Sequence, residues 1–62
     1  MSFDFLSEMY ALAKTRAYKL YYISLALSLP DIDDHINKYK DGWLGTEGRF
    51  ARVIARMLSQ LD

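Results

Sequence analysis

Residues 17–29, with the sequence AYKLYYISLALSL, contain one charged residue, Lys19, in a chain in which 26% of the residues are charged. The preceding residues 3–16 have the amphipathic pattern of a surface helix, and Pro30 is the first residue that would stop a helix. We therefore predict one long helix over residues 3–29, which becomes apolar on nearly every side towards its end. Such a helix end must be covered by other protein, and a chain of 62 residues offers little.

The predicted long helix has two apolar faces. At about 100° per residue, one broad face of this helix is expected to be buried in the core, and Ser7 lies on the opposite, polar side. The residues of the predicted core face are Phe5, Met9, Leu12, Ala13, Leu20, Ile23 and Leu27. Tyr18, Tyr22 and Leu25 point to the other side, with Tyr21 at the border. We predict that these four residues form the interface with a partner, most simply a second copy of the chain.

Two shorter helices are predicted after Pro30. One covers residues 32–40, follows Asp31 and ends before Gly42, which we expect in a left-handed conformation. The other covers residues 47–61, is capped by Thr46 and has an apolar stripe at helical spacing. Trp43 and Leu44 are expected to plug the end of the core. The prediction is thus an all-α, three-helix single domain over residues 1–62 that forms a helical homodimer, since a domain this small is marginally stable alone.

Composition narrows the functional classes. The chain has no cysteine, which excludes disulfides and thiolate metal sites and suits a reducing compartment. Its formal net charge is zero, so total charge provides no long-range attraction to nucleic acid or anionic lipid. There is no basic segment of the kind that begins a signal peptide, and the apolar run over residues 20–29 is about half as long as a bilayer span. We expect a soluble, cytoplasmic protein without a membrane partner.

Three arginines lie on one side of the third predicted helix. Arg49, Arg52 and Arg56 follow each other at i, i+3 and i+7, opposite the apolar stripe. Arginine makes bidentate contacts to phosphate and carboxylate groups, so this strip could bind nucleic acid or an acidic protein surface. In the first case the helix would act as the recognition helix of a helix-turn-helix protein. We favour the simpler interpretation of a solvated helix face, because no basic tail or cluster accompanies it.

Arg16 falls within the apolar face of the predicted long helix. Its aliphatic stem could pack there while the guanidinium reaches solvent or pairs with an aspartate of the second helix. The alternative is a buried arginine that binds an interface or a ligand. We favour the structural pairing, because buried charges are usually paired.

Two other segments resemble binding sites only weakly. Asp31, Asp33, Asp34 and His35 cluster at a helix start, but their spacing matches neither a calcium loop nor a zinc motif, and acids there stabilise the positive helix end. Residues 45–49, GTEGR, could hold an anion, although Glu47 would repel it. We predict no cofactor, no metal site and no enzymatic activity, since the chain has one histidine and no cysteine.

The predicted function is therefore that of a small interaction module, an adaptor, inhibitor or regulator of the kind found among phage and plasmid accessory proteins. It would act as a homodimer on a further protein. A nucleic-acid-binding regulator that uses the arginine strip is the first alternative. A structural subunit, permanently covered by other chains of a larger assembly, is the second.

Overall fold

The computed structural model describes residues 1–42 and 44–61, which form four α-helices and no strand. The helices are α1 (Phe3–Leu12), α2 (Arg16–Leu27), α3 (Ile32–Tyr39) and α4 (Thr46–Ser59). The all-α prediction is confirmed. The predicted count of three helices is wrong, because residues 3–29 form two helices instead of one. Trp43, which we expected to plug the core, lies outside the described residues.

The long helix is interrupted between Ala13 and Thr15. Both residues have extended backbone, with φ −65° and ψ 132° at Ala13 and φ −121° and ψ 153° at Thr15. The Thr15 hydroxyl oxygen accepts a hydrogen bond of 3.2 Å from the main-chain N–H of Tyr18, so Thr15 is the N-cap of α2. An unbroken helix over residues 3–29 would be about 40 Å long, whereas the longest dimension of the fold is 26 Å.

Burial explains why the chain turns there. α1 buries Phe3 and Leu6, and α2 buries Ile23 and Ala26 in the same core. On one continuous helix, Phe3 and Ile23 would point in directions about 160° apart. The turn between α1 and α2 brings both onto one core, and the apolar burial gained there offsets the helical hydrogen bonds that the turn loses.

The core face predicted for the first helix is accordingly wrong at most positions. Phe5, Leu12, Leu20 and Leu27 are exposed, and only Ile23 of that set is fully buried. Ser7, predicted on the polar side, is completely buried, and its hydroxyl donates a 2.8 Å hydrogen bond to the main-chain oxygen of Asp4. The inward stripe of α1 consists of Phe3, Leu6, Ser7 and Tyr10.

The helices pack in the spatial order α2, α1, α4, α3, with α1 between α2 and α4, and α4 between α1 and α3. α3 was expected to return along the apolar end of the first helix, but it packs against α4. α2 consequently lies at the edge of the fold with α1 as its main neighbour, and its outer side faces solvent. The buried core residues come from all four helices; they are Phe3, Leu6, Ile23, Ala26, Ile36, Phe50, Ala51 and Ile54.

The second half of the chain follows the sequence prediction more closely. α3 and α4 lie within one or two residues of the predicted bounds. Gly42 has φ +73°, which confirms the left-handed conformation after α3. The N-cap of α4 is Gly45 instead of Thr46, whose hydroxyl donates a 3.0 Å hydrogen bond to Glu8 of α1. Leu44 is highly exposed, so its predicted role as a core plug is wrong.

Candidate interaction surface

The outward side of α2 carries no charge beyond Arg16, the first residue of the helix. We call it the α2 outer face and define it by six exposed residues, Ala17, Tyr18, Leu20, Tyr21, Ser24 and Leu27. The four large side chains are 61% (Tyr18), 53% (Tyr21), 44% (Leu20) and 41% (Leu27) exposed. A shallow depression of about 220 Å³ opens beside Ala17, Tyr18 and Tyr21.

Lys19, the single charged residue in residues 17–29, lies away from this face. Its ammonium donates a 2.8 Å hydrogen bond to the main-chain oxygen of Tyr10 in α1 and lies 4.4 Å from the centre of the Tyr10 ring. The charge is therefore used to join α1 to α2. The α2 outer face is left with hydroxyl groups as its only polar side-chain groups.

The four residues predicted as a partner interface lie in two different environments. Tyr18 and Tyr21 are exposed, whereas Tyr22 and Leu25 are partly buried and pack against the core. Their placement on the side away from the core was therefore wrong, because α1 folds back and covers that side of α2. The Tyr21 and Tyr22 rings still touch edge to face, with centroids 5.3 Å apart.

Leu20 and Leu27 belong to the exposed face but were assigned to the core from the sequence. A signal for them was available in the spacing of Ala17, Leu20, Ser24 and Leu27, which follow each other at i, i+3, i+7 and i+10. That spacing marks one stripe along a helix. It could not be distinguished from a core stripe as long as residues 3–29 were taken as one helix.

Arg16 is exposed and is the first residue of α2, so the alternative of a buried, ligand-binding arginine is wrong. The favoured pairing with an aspartate of the second predicted helix is not found among the described residues either. The correction follows from the turn before α2, which removes the apolar neighbours expected from α1. A base at this place is electrostatically unfavourable, because the N-terminal end of a helix is positive. The first turn of α2 contains no acid to compensate.

The arginine strip of α4 is divided by packing. Arg49 and Arg56 are exposed, but Arg52 is partly buried, and its Nη1 donates a 3.4 Å hydrogen bond to the main-chain oxygen of Lys40, the C-cap residue of α3. Arg52 thus contributes to the contact between α3 and α4. Two exposed arginines about two turns of helix apart remain for an external ligand.

A cleft of about 320 Å³ separates α1 and α2 from the start of α4. Lys19 and Arg49 line it, together with the Gly45–Thr46 turn that we considered as an anion cradle. The Lys19 ammonium is already bonded to Tyr10, and Glu8 is bonded to Thr46 at the start of α4. The Glu8 carboxylate weakens the attraction of this cleft for an anion.

The acidic cluster before α3 has a structural arrangement. His35 Nε2 lies 2.9 Å from Oδ2 of Asp31, and the imidazole stacks on the buried ring of Phe3 at 4.7 Å between centroids, with an interplanar angle of 7°. Asp31 therefore contacts His35 and makes no side-chain cap for α3. Within residues 1–42 and 44–61, no group of three or more histidine, cysteine or acidic side chains could hold a metal ion.

Comparison with known proteins finds no matching family model, no matching curated protein and no matching solved structure. Among the helices of residues 1–42 and 44–61, none combines the length and the apolar character needed to cross a membrane. Candidate functions therefore depend on the surface chemistry of the chain itself.

Proposed function

We propose that this chain is a small, non-enzymatic protein-interaction module that acts in the cytoplasm as a homodimer, with the α2 outer face as its interface. The supporting observation is a charge-free helix face with four large apolar side chains exposed by 41–61%. Contiguous apolar surface of this kind marks protein–protein interaction sites. Tyrosine, which contributes two of the four side chains, is enriched among residues that dominate binding energy.

A second copy is the occupant that suits the chemistry of this face best. A face without charge gives no electrostatic complementarity to an acidic or basic partner. It does match another uncharged face, and in a two-fold dimer the same patch is used on both subunits. The formal net charge of zero means that two copies do not repel each other over long distances.

The role that we propose for the dimer is that of an adaptor, inhibitor or regulator, as in phage and plasmid accessory proteins. A binding role is favoured over a catalytic one because the single histidine is held between Asp31 and the buried Phe3 ring. The absence of cysteine suits a reducing, cytoplasmic compartment.

Sedimentation velocity tests the dimer. We expect the average mass to rise from the 7.2 kDa of one chain towards twice that value as the protein concentration is raised from about 10 to about 500 µM. The variant with Leu20→Glu and Leu27→Glu should stay monomeric over the same range. Leu61→Glu, at an exposed leucine outside α2, is the matched control and should leave the dimer unchanged. Circular dichroism verifies that each variant is folded. A native chain that stays monomeric at about 500 µM, a concentration several times the expected dissociation constant, would contradict the proposal.

A nucleic-acid-binding regulator is the second candidate, and the exposure of Arg49 and Arg56 on one side of α4 supports it. The bond between Arg52 and Lys40 and the zero net charge count against it. Fluorescence anisotropy with duplex DNA and RNA distinguishes the two candidates. Binding that weakens steeply with salt, and that Arg49→Ala with Arg56→Ala removes, would favour the second candidate, and absence of binding at low salt would eliminate it.

A further inference from the structure

We infer that two copies of the chain pair through α2 in antiparallel orientation, across a two-fold axis near Tyr21. This inference rests on the proposed homodimer and adds the register and direction of its interface. It derives from two features of α2, the alternation of small and large residues along the α2 outer face and the position of Arg16. The hydrogen bonds of the serines on this side of α2 are compatible with it.

The first feature is a seam along α2. Ala17, Leu20, Ser24 and Leu27 have the i, i+3, i+7, i+10 spacing of the a and d positions of two consecutive heptads, the pattern with which one helix packs on another. All four residues are exposed. The seam spans residues 17–27, ten helical steps or about 15 Å from end to end.

The order of residues along the seam favours antiparallel packing. It alternates small and large: Ala17, Leu20, Ser24, Leu27. In an antiparallel pair, Ala17 lies opposite Leu27 of the second copy, and Leu20 lies opposite Ser24 of the second copy. Each leucine then fills the space left by a small residue, as in well-packed cores. A parallel pair would place leucine against leucine, which packs well at d positions, but it would also place Ala17 and Ser24 against their own copies and leave gaps in those layers.

The position of Arg16 favours the same direction. It lies at the positive N-terminal end of α2, where the helix offers it no compensating acid. A parallel pair would bring two such ends and two Arg16 side chains together. An antiparallel pair places Arg16 beside the negative C-terminal end of the other helix, which Asp31 follows four residues later.

Burial of the seam leaves the hydroxyl groups of Ser24, which belongs to it, and of the neighbouring Ser28 with their hydrogen-bond acceptors. The Ser24 hydroxyl donates a 2.7 Å hydrogen bond to the main-chain oxygen of Tyr21, and the Ser28 hydroxyl donates a 3.3 Å bond to the main-chain oxygen of Ser24. These bonds lie within one helix and persist when a second helix covers them. Uncharged serines therefore add no unpaired donor to the interface.

The area of the face limits the affinity. Tyr18 and Leu27 are nine residues apart and point about 180° from each other around α2, so one partner helix covers the seam and Tyr21 but not Tyr18. Leu20, Tyr21 and Leu27, each about half exposed, offer about 350 Å² per copy together with their small neighbours. A dimer would bury about 700 Å² in total, which is the size of a weak, transient interface. We therefore expect a reversible dimer with a dissociation constant on the order of 100 µM.

Disulfide cross-linking tests the direction, and the native chain provides a cysteine-free background. Ala17→Cys and Leu27→Cys are prepared as separate chains of different tagged mass, and sedimentation first establishes that each still dimerises when reduced. We expect mild oxidation of their mixture to give at least tenfold more mixed-mass covalent dimer than Lys14→Cys mixed with Leu27→Cys. Ala17→Cys alone should not exceed the Lys14→Cys background.

Efficient cross-linking of Ala17→Cys with itself would establish a parallel pair and overturn the inference while the dimer proposal stands. If all variants sediment as dimers but none cross-links above the Lys14→Cys background, the dimer uses another face. That result also overturns the inference. A chain that sediments as a monomer contradicts the proposed function itself, so the failures of the two proposals are distinguishable.

Discussion

The ammonium of Lys19 donates a 2.8 Å hydrogen bond to the main-chain oxygen of Tyr10, across the turn that separates α2 from α1. Tyr10 lies in the last turn of α1, where carbonyl groups lack helical partners and the helix end is negative. The same ammonium lies 4.4 Å from the centre of the Tyr10 ring. One side chain thus joins α1 to α2, and its charge lies away from the α2 outer face.

Lys19→Met, which keeps the stem and removes the charge, should lower the free energy of unfolding by about 1 kcal/mol. The loss is moderate because the Tyr10 carbonyl keeps a 3.3 Å bond from the Ala13 N–H. Urea unfolding followed by circular dichroism measures it. Lys14→Met, at an exposed lysine in the turn, is the control; an equal loss there would contradict a specific role for Lys19.

Thr15→Ala should destabilise the fold by about 1 kcal/mol, because it removes the oxygen that accepts the Tyr18 N–H at the start of α2. Thr15→Ser keeps that oxygen and should lie close to the native chain. Urea midpoints of the two variants give the comparison. If Thr15→Ala is as stable as Thr15→Ser, the cap does not hold the turn.

Phe3→Ala should cost about 3–5 kcal/mol, enough to unfold most of a domain this small. Phe3 is 1% exposed and contacts the rings of His35, Tyr39 and Phe50. Phe5→Ala, two residues later and largely exposed, should cost less than about 1 kcal/mol. Thermal unfolding of the two variants distinguishes the described core from the core face predicted from the sequence, because that face contains Phe5 and predicts the larger loss of stability for Phe5→Ala.

Gly42→Ala should lower stability by about 1 kcal/mol, because Gly42 has φ +73° and alanine avoids that region. Steric contact is not the cause, since an added Cβ would meet no described atom within 4 Å. Gly42→Asn should recover part of the loss, as asparagine tolerates left-handed backbone. Equal stability of Gly42→Ala and the native chain in urea unfolding would contradict the left-handed assignment.

Local signals were sufficient for the second half of the fold. The stripe of α4 and the Gly42 turn depend on periodicity and backbone preference, which neighbouring residues fix, and both are found in the structure. Ser2 caps α1 by an equally local interaction, because its hydroxyl oxygen accepts a 3.1 Å hydrogen bond from the Phe5 N–H. Such features require no knowledge of distant contacts.

The turn between α1 and α2 was not readable, and the errors in the first half follow from it. Residues 13–15 contain no glycine or proline, and Thr15 looks the same in sequence whether it lies inside a helix or caps one. The structure selects the cap because the turn brings Phe3 and Ile23 onto one core. Ser7 and Arg16 were misplaced for the same reason.

The sequence by itself determined that the chain is helical, that its charge is balanced and that residues 20–29 carry no charge. Only the tertiary structure decided which side of that segment faces solvent. Helical periodicity places residues around one axis, but the direction of the core depends on how α1 folds back on α2. That choice buries Tyr22 and Leu25 in part and leaves Tyr18, Leu20, Tyr21 and Leu27 exposed.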